Sequence, residues 1–270
     1  MTITIFMPVL NGASFIAEAI ASIEAQTSPD WRLCVLDGGS ADGTVDIASA
    51  RCEADSRITV KSAPDDGQYP ALLNGILSTN CDHVGWLNAD DLMPPWAVAE
   101  ASRAFAETGA DWISGLPSLW DSEGRLRAVY PLARRSRRLI RAGWYHDGLL
   151  GCLQQESMFF RKRLIEGLTA AERDEVTGHR LAGDFALWRS FARQTKLVAV
   201  PVVLGGFRRH GQNRSLLAGQ AYADEVREMG GKDFPGFVAR KIRSVHDYLA
   251  AIGSLKAARK SAEMLAREGE

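Results

Sequence analysis

One rhythm governs the first part of this chain: a short apolar run, a turn rich in glycine, asparagine or aspartate, then a segment of helical period. Ile3 to Val9 is apolar and stops at Asn11-Gly12, after which Phe15, Ile16, Ala19, Ile20 and Ile23 share one helical face within Phe15 to Ala25. Trp31 to Leu36 predicts a second strand, stopped by Asp37-Gly38-Gly39-Ser40, and Asp42-Gly43-Thr44 opens a helix through Ala54. Ile58 to Ser62 and Pro70 to Ser78 repeat the pair, and His83 to Leu87 runs straight into Asn88-Ala89-Asp90-Asp91. Pro94-Pro95 then predicts a helix start, where a missing N–H costs little. Strands alternating with helices imply right-handed crossovers and a parallel sheet, whose ligands bind beyond the carboxyl ends of the strands. Those ends carry Pro8 to Asn11, Asp37 to Ser40, Ala63 to Gly67 and Asn88 to Asp91, and three of the four are acidic.

Beyond about residue 115 the rhythm changes. Trp120 to Arg125 predicts a hairpin turn, and Ser157 to Phe160 and Leu197 to Phe207 predict further strands, of mixed direction. From Ala218 the composition favours helices, with Val238, Ile242, Val245, Leu249 and Ile252 near helical period. The chain therefore divides into an alternating α/β part (1–115), a part with mixed strands expected to add a second substrate's site (116–217) and a helical extension (218–270).

Of 270 residues, 46% are hydrophobic and 24% charged, which suits a globular chain with a sizeable core. The 32 Lys and Arg against 33 Asp and Glu leave a net charge of −1, without the basic excess of a dedicated nucleic-acid binder. Cys34, Cys52, Cys81 and Cys152 form no Cys-x-x-Cys pair, so a disulfide framework is not expected. No window approaches 18 apolar residues and the N-terminus shows no positive leader, so a cytoplasmic protein is expected.

Acidic strand ends would repel an anionic ligand unless a divalent cation sat between them. Asp90-Asp91 supplies hard oxygen ligands of the kind that hold Mg²⁺ or Mn²⁺ together with substrate phosphates. The same pair would also serve as caps for a helix starting near Pro94. Asp37, before Gly38-Gly39, is placed to accept from a base or ribose, or simply to build a turn, and Asp65-Asp66-Gly67 has the same two readings. No Gly-x-Gly-x-x-Gly follows the first strand and no P-loop occurs, which argues against a dinucleotide or P-loop site.

Five ordered blocks together resemble glycosyltransferase family 2, of GT-A fold. They are Met7 to Gly12, Ser22 to Thr27, Asp37 to Thr44, Asp65 to Tyr69 and Gly85 to Asp91. The resemblance implies an α/β, Rossmann-like, mostly parallel sheet flanked by helices, a nucleotide-sugar donor, a divalent cation (Mn²⁺ or Mg²⁺) and inversion at the anomeric carbon. It would make residues 1–115 the nucleotide-sugar-binding half and residues 116–217 the acceptor-binding and catalytic half. By position it sets Pro8, Val9 and Asn11 against the nucleotide, Asp37 on its base, and Asp65 and Gly67 in the same pocket. Asp90 would meet the ribose and Asp91 the metal. Many relatives carry an acid where this chain has Asn88, so the metal site would have one fewer charge.

In the second half, Gly183 to Trp188 resembles the family segment that opens a helix with a catalytic acid, matched here by Asp184; the acid that precedes it in the family is Gly183. A sugar hydroxyl is a poor nucleophile, so a carboxylate within reach must take its proton. Asp184 would equally suit the N-cap of that helix. Phe207 to Asn213 resembles the late segment that puts a histidine, here His210, near metal and diphosphate, where its neutral imidazole would complete the metal shell with Asp91 and Arg208 or Arg209 would offset phosphate charge. Gln154 to Ser157 loosely matches an acceptor-side loop. Arg134, Arg135, Arg137 and Arg138, with Arg141, Trp144 and Tyr145, suit an anionic bilayer or a lipid-linked diphosphate acceptor, or form a solvated helix face.

The function expected is a metal-dependent, inverting transfer of a sugar from a nucleotide-sugar to a glycan or lipid-linked hydroxyl in cell-surface polysaccharide synthesis. A sugar nucleotidyltransferase would want a Gly-rich, basic loop after the first strand, where Val9-Leu10-Asn11-Gly12 stands. A silent sugar- or lipid-binding module is the other alternative.

Overall fold

The computed structural model describes residues 1–131 and 135–249. Strands β1 (Ile3–Val9), β2 (Trp31–Asp37), β3 (Ile58–Ser62) and β4 (His83–Trp86) alternate with helices α1 (Ile16–Glu24), α2 (Thr44–Ala54), α3 (Gln68–Ser78) and α4 (Ala97–Thr108). The later strands are β5 (Trp112–Ser114), β6 (Ser118–Trp120), β7 (Leu126–Val129), β8 (Met158–Arg161), β9 (Val198–Ala199) and β10 (Phe207–Arg208). Helices α5 (Arg137–Arg141), α6 (Arg163–Glu166), α7 (Ala170–Thr177), α8 (Gly183–Gln194), α9 (Arg214–Leu217) and α10 (Gly219–Glu228) follow, and residues 236–249 form a last helix.

The main sheet runs β3-β2-β1-β4-β8-β5-β9. Its first four strands are parallel, as the crossovers require, and β8 enters antiparallel between β4 and β5. A small second sheet, β10-β6-β7, includes the expected hairpin, and a bridge between Leu92 and Gly206 joins it to the end of β4. The fold is α/β with a mostly parallel sheet, as expected.

All seven residues of β1 are buried, so its alternation feeds two cores. Ile5 and Met7 face α1 and α4 with Ile20 and Phe105, while Phe6 joins Trp86, Trp112 and Trp188 on the opposite face. There α8 is pinned by aromatic contacts: Trp112 and Trp188 stack at 5.5 Å, and Phe160 meets Phe191 at 4.9 Å. Such pairs add about 0.5–1.5 kcal/mol each beyond their buried area, which fixes the helix that carries Asp184.

Three expectations need revision. Helix α4 begins at Ala97, not at the Pro94-Pro95 pair, and its N-cap is Trp96, so neither Asp90 nor Asp91 caps it. The Leu197 to Phe207 run yields two short strands in different sheets because Pro201 and Gly205-Gly206 interrupt it. In the last helix Ala239 is buried and Ile242 packs on the core, whereas Val245 and Leu249 are exposed. Ile252 and the rest of 250–270 lie outside the described residues.

Candidate active site

A cleft of about 1330 Å³ opens at the carboxyl ends of the parallel strands. The end of β1 supplies Pro8, Val9 and Asn11 to its wall. Asn11 is the only non-glycine residue at positive φ (54°) among the described residues, a conformation asparagine tolerates better than most. Its Oδ1 accepts from the Ala41 amide at 3.0 Å and its own N–H donates to Ser40 Oγ at 2.7 Å, which ties the loop after β1 to the loop after β2.

Asp65 and Gly67 line the cleft, whereas Asp37 is buried and does not line it. Asp37 Oδ2 accepts from the Gly39 and Ser40 amides and from Ser62 Oγ at 2.7 Å. Burial raises its pKa, but these hydrogen bonds outweigh burial and hold the carboxyl below its usual value. Its Oδ1 is buried without a partner, an acceptor left open. Asp65 sits against the same loop: a Cβ on Gly38 would lie 2.9 Å from its Oδ2.

At the end of β4 the acids are locked in place. Asp91 is 1% exposed; its Oδ1 accepts from the Arg208 amide at 2.8 Å and its Oδ2 from Asn88 Nδ2 at 3.2 Å. Asn88 Oδ1 accepts from Trp86 Nε1 and Gln68 Nε2, and Nδ2 also donates to Gln155 Oε1 at 2.9 Å. Burial, then the neighbouring Glu156 and Asp90, push Asp91 well above the usual carboxylate range. Glu156 is itself buried, and burial lifts it to about 7. Gly205 clamps it from behind, since a Cβ there would lie 1.9 Å from the Glu156 carbonyl oxygen.

Asp90 is the more open acid, its side chain 33% exposed. Its carbonyl accepts from Arg208 Nε at 2.7 Å, and Oδ2 lies 3.0 Å from His210 Nε2. The Gln212 amide donates to His210 Nδ1 at 3.3 Å, while Nε2 faces both Asp90 Oδ2 and, at 2.9 Å, the Asn213 amide nitrogen. The ring is nearly buried and rests on Phe15 at 4.0 Å. His210 is thus a partner of Asp90, with both nitrogens engaged. Arg208 is fully buried and pairs with Glu18 rather than facing the cleft.

Asp184 lines the same cleft from the first turn of α8. The N-cap is Ala182, and no side chain caps it. The segment leading into the helix is held instead by Glu225 of α10, which accepts from the amides of Arg180, Leu181 and Ala182 at 3.1, 2.9 and 2.8 Å. Asp184 Oδ1 accepts from the adjacent Phe185 amide at 2.8 Å. Burial, with Asp147 and Glu225 adding repulsion, lifts Asp184 to about 7. The preceding Gly183 leaves no room for a side chain: a Cβ would lie 2.5 Å from the Val176 carbonyl oxygen and 2.6 Å from the Tyr69 ring. Tyr69 in turn donates its hydroxyl to the Leu181 carbonyl at 2.7 Å.

Residues 4–168 match the model of Glycosyl transferase family 2. The chain belongs to that family. It is 34% identical over 106 residues to the O-antigen biosynthesis protein RfbC of Myxococcus xanthus, covering 38% of this chain and 8% of that protein. It is also 34% identical over 166 residues to a PGL/p-HBAD biosynthesis glycosyltransferase of Mycobacterium bovis, covering 58% of this chain and 64% of that one. The chain thus spans less than two thirds of these relatives. Among solved structures it resembles S. aureus TarS in complex with UDP-GlcNAc, with a TM-score of 0.62 and 13% identity, over 91% of this chain and 71% of that one. It also resembles a Pyrobaculum calidifontis mannosyltransferase in complex with GDP-Man and Mn²⁺, with a TM-score of 0.52 and 18% identity, over 99% and 79%. At these identities the structures support the GT-A fold alone.

In this family 2 chain the cleft wall from residue 8 to residue 119 holds Asp65, Asp66, Asp90 and Asp91 and no lysine or arginine. Among the described residues no group of three or more His, Cys, Asp or Glu side chains is placed to hold a metal ion by itself. The donor set fits a cation shared with a phosphorylated ligand: Asp91 keeps a second lone pair on each oxygen, and Asp90 keeps Oδ1 unbonded.

The basic run divides. Arg135 lines the cleft with its guanidinium 5.0 Å over the Tyr145 ring. Arg137 donates to the carbonyls of Ala192 and Arg193 at the end of α8, while Arg138 and Arg141 are exposed. Arg134 lies outside the described residues. Two residues went unassigned in the sequence. Glu156 was one member of a loosely matched loop, its charge just before an apolar strand being the signal; Glu225 gave none, since it acts 43 residues from its target.

Proposed function

We propose that this protein transfers a sugar from a nucleotide-sugar donor to a hydroxyl of a glycan or lipid-linked acceptor, with inversion and with a divalent cation, in cell-surface polysaccharide synthesis. The observation that carries this reading is the shared cleft: the strand-end acids and Asp184, with its raised pKa, line one cavity. Pro8, Val9, Asn11, Asp65, Gly67 and Asn88 belong to the donor pocket, Asp37 backs that pocket by holding the turn after β2, and Asp90 is the ribose contact. The biosynthetic roles of the RfbC and mycobacterial relatives support this class of pathway, and two proteins of the same fold hold nucleotide-sugars in their crystal structures.

A diphosphate bound over four carboxylates with no basic side chain from that wall meets repulsion. Asp91, with the outward oxygen of Asp90, would hold Mn²⁺ or Mg²⁺, and His210 would orient Asp90. When bound, the cation supplies charge stabilisation for the leaving diphosphate. Asp184 takes the proton of the acceptor hydroxyl as its oxygen bonds to the anomeric carbon and the bond from that carbon to the diphosphate breaks on the opposite face.

We also assign the protein to the cytoplasm. A bilayer contact through the basic run has less support, since Arg137 is spent on α8 and Arg135 on the cleft. No helix among the described residues is long and apolar enough to cross a membrane. The direct test is nucleotide release from a panel of UDP-, GDP-, dTDP- and CMP-linked donors with and without Mn²⁺. Release with none of them, with acceptor mixtures present, would overturn the reading.

A further inference from the structure

Every lysine and arginine that lines the cleft comes from residue 135 onward: Arg135, Arg180, Arg214, Arg227, Lys232 and Arg243. Most of these lie past residue 168, where the family match ends. Arg227 is paired with Asp224 and Asp233; the other five make no ion pair with a carboxylate among the described residues. A surface that leaves five cations unpaired around one cavity favours an anion there.

Three of them gather round one loop. Arg243 donates to the carbonyls of Leu149, at 2.6 Å, and Asp147, which uses two of its nitrogens and leaves its charge uncompensated. Lys232 is held by its backbone, its N–H donating to the Gly143 carbonyl at 2.9 Å and its carbonyl lying 2.9 Å from His146 Nε2, while its ammonium stays exposed. The half-buried guanidinium of Arg135 lies over Tyr145; burial pulls its pKa below the ordinary value, with Tyr145 and the more distant charge of Asp247 opposing, and no carboxylate among the described residues pairs with it. The same loop carries Asp147, whose charge acts on Asp184 more strongly than that of Glu225. Three carboxylates share this wall: Asp147, which accepts from the Cys152 thiol, Asp233, which pairs with Arg227, and Asp247, which lies against His246.

We infer that the acceptor carries a phosphate, bound by Arg135, Lys232 and Arg243 beside the 143–149 loop, so that its hydroxyl is presented to Asp184. This rests on the transferase reading above and adds the substrate class. Three cations from separate segments suit the three outward oxygens of a terminal phosphate better than the two of a carboxylate. The phosphate could belong to a lipid headgroup or to a phosphorylated saccharide, and the chemistry of recognition is the same.

The test uses the full chain saturated with the nucleoside diphosphate that binds it, so that the donor site is filled. Calorimetry then follows glycerol phosphate and geranyl phosphate, with glycerol and geraniol as uncharged controls. Both phosphates should bind and both alcohols should not, with affinity falling as salt rises. Geranyl phosphate binding far more tightly identifies a lipid headgroup, and equal binding identifies a phosphorylated saccharide; each supports the inference. Arg135→Gln combined with Lys232→Gln should weaken phosphate binding by about tenfold or more with nucleotide affinity unchanged. Arg135→Lys should restore part of it, which separates lost charge from lost folding. Alcohols binding as well as phosphates, or the double variant binding phosphate like the parent, would overturn the inference. If no nucleotide binds at all, it is the transferase reading that has failed.

Discussion

The Asn88 amide nitrogen lies 3.2 Å from Asp91 Oδ2 and 2.9 Å from Gln155 Oε1, donating to both. An acid at this position could give neither hydrogen bond and would be a further carboxylate beside Asp91 and Glu156. The asparagine therefore stabilises a crowded anionic corner. Asn88→Asp should cost about 1–3 kcal/mol through the lost donors. The new carboxyl would hold its proton more tightly folded than unfolded, so the loss should grow as pH rises. Melting curves at pH 5 and pH 8 check this, and equal destabilisation at both would count against the charge argument.

Asp184→Asn keeps the shape of the side chain but cannot accept a proton. Its kcat should fall by about 10²–10⁴-fold, with little change in donor affinity. In the parent, kcat should rise with pH through a limb near 7, where the carboxyl ionises, and the variant should lose that limb. Steady-state rates across pH 5 to 9 decide the point.

The raised pKa values of Asp184 and Glu156, both about 7, also govern stability. Each binds its proton more tightly in the folded chain than in the unfolded one. Their contribution is therefore fully present below about pH 4 and is lost as pH climbs to about 7. Asp184→Asn should flatten that decline, as followed by denaturant midpoints over the same range.

Gly183→Ala would drive a Cβ into the Val176 carbonyl and the Tyr69 ring. Overpacking of this kind costs about 1–3 kcal/mol and shifts the turn that carries Asp184. Both Tm and kcat should drop. A variant with native stability would show that the helix start can move aside.

Asp37→Asn should weaken nucleotide binding without changing its cation dependence, because the turn it holds backs Asp65 in the proposed donor pocket. The amide can present an N–H where an acceptor is needed, and it weakens the turn that Oδ2 holds through Gly39, Ser40 and Ser62. Calorimetric affinity equal to the parent's would remove Asp37 from the pocket.

The parallel half of the fold was legible because each of its strands is long enough to show apolar character and each is closed by turn chemistry. β5 has three residues and β9 and β10 have two, too short for any period to register. The insertion of β8 between β4 and β5 depends on pairing between distant segments, which no local pattern announces. At the site, the strand ends brought Asp65, Asp90 and Asp91 to one cleft as alternation predicts, with Asp37 tucked behind it. What stayed hidden was the company these acids keep. Glu156 meets Asp91 across 65 positions of sequence, and His210 reaches Asp90 across 120.

The grip of Glu225 on the backbone that leads into α8 has a consequence for the order in which the protein becomes competent. Strands and acids for the donor are laid down early in translation, but the residue that anchors the start of α8 is made only after about 40 further residues. A nascent chain halted before α10 would carry its strand-end acids while the start of α8, and with it Asp184, still lacked its brace.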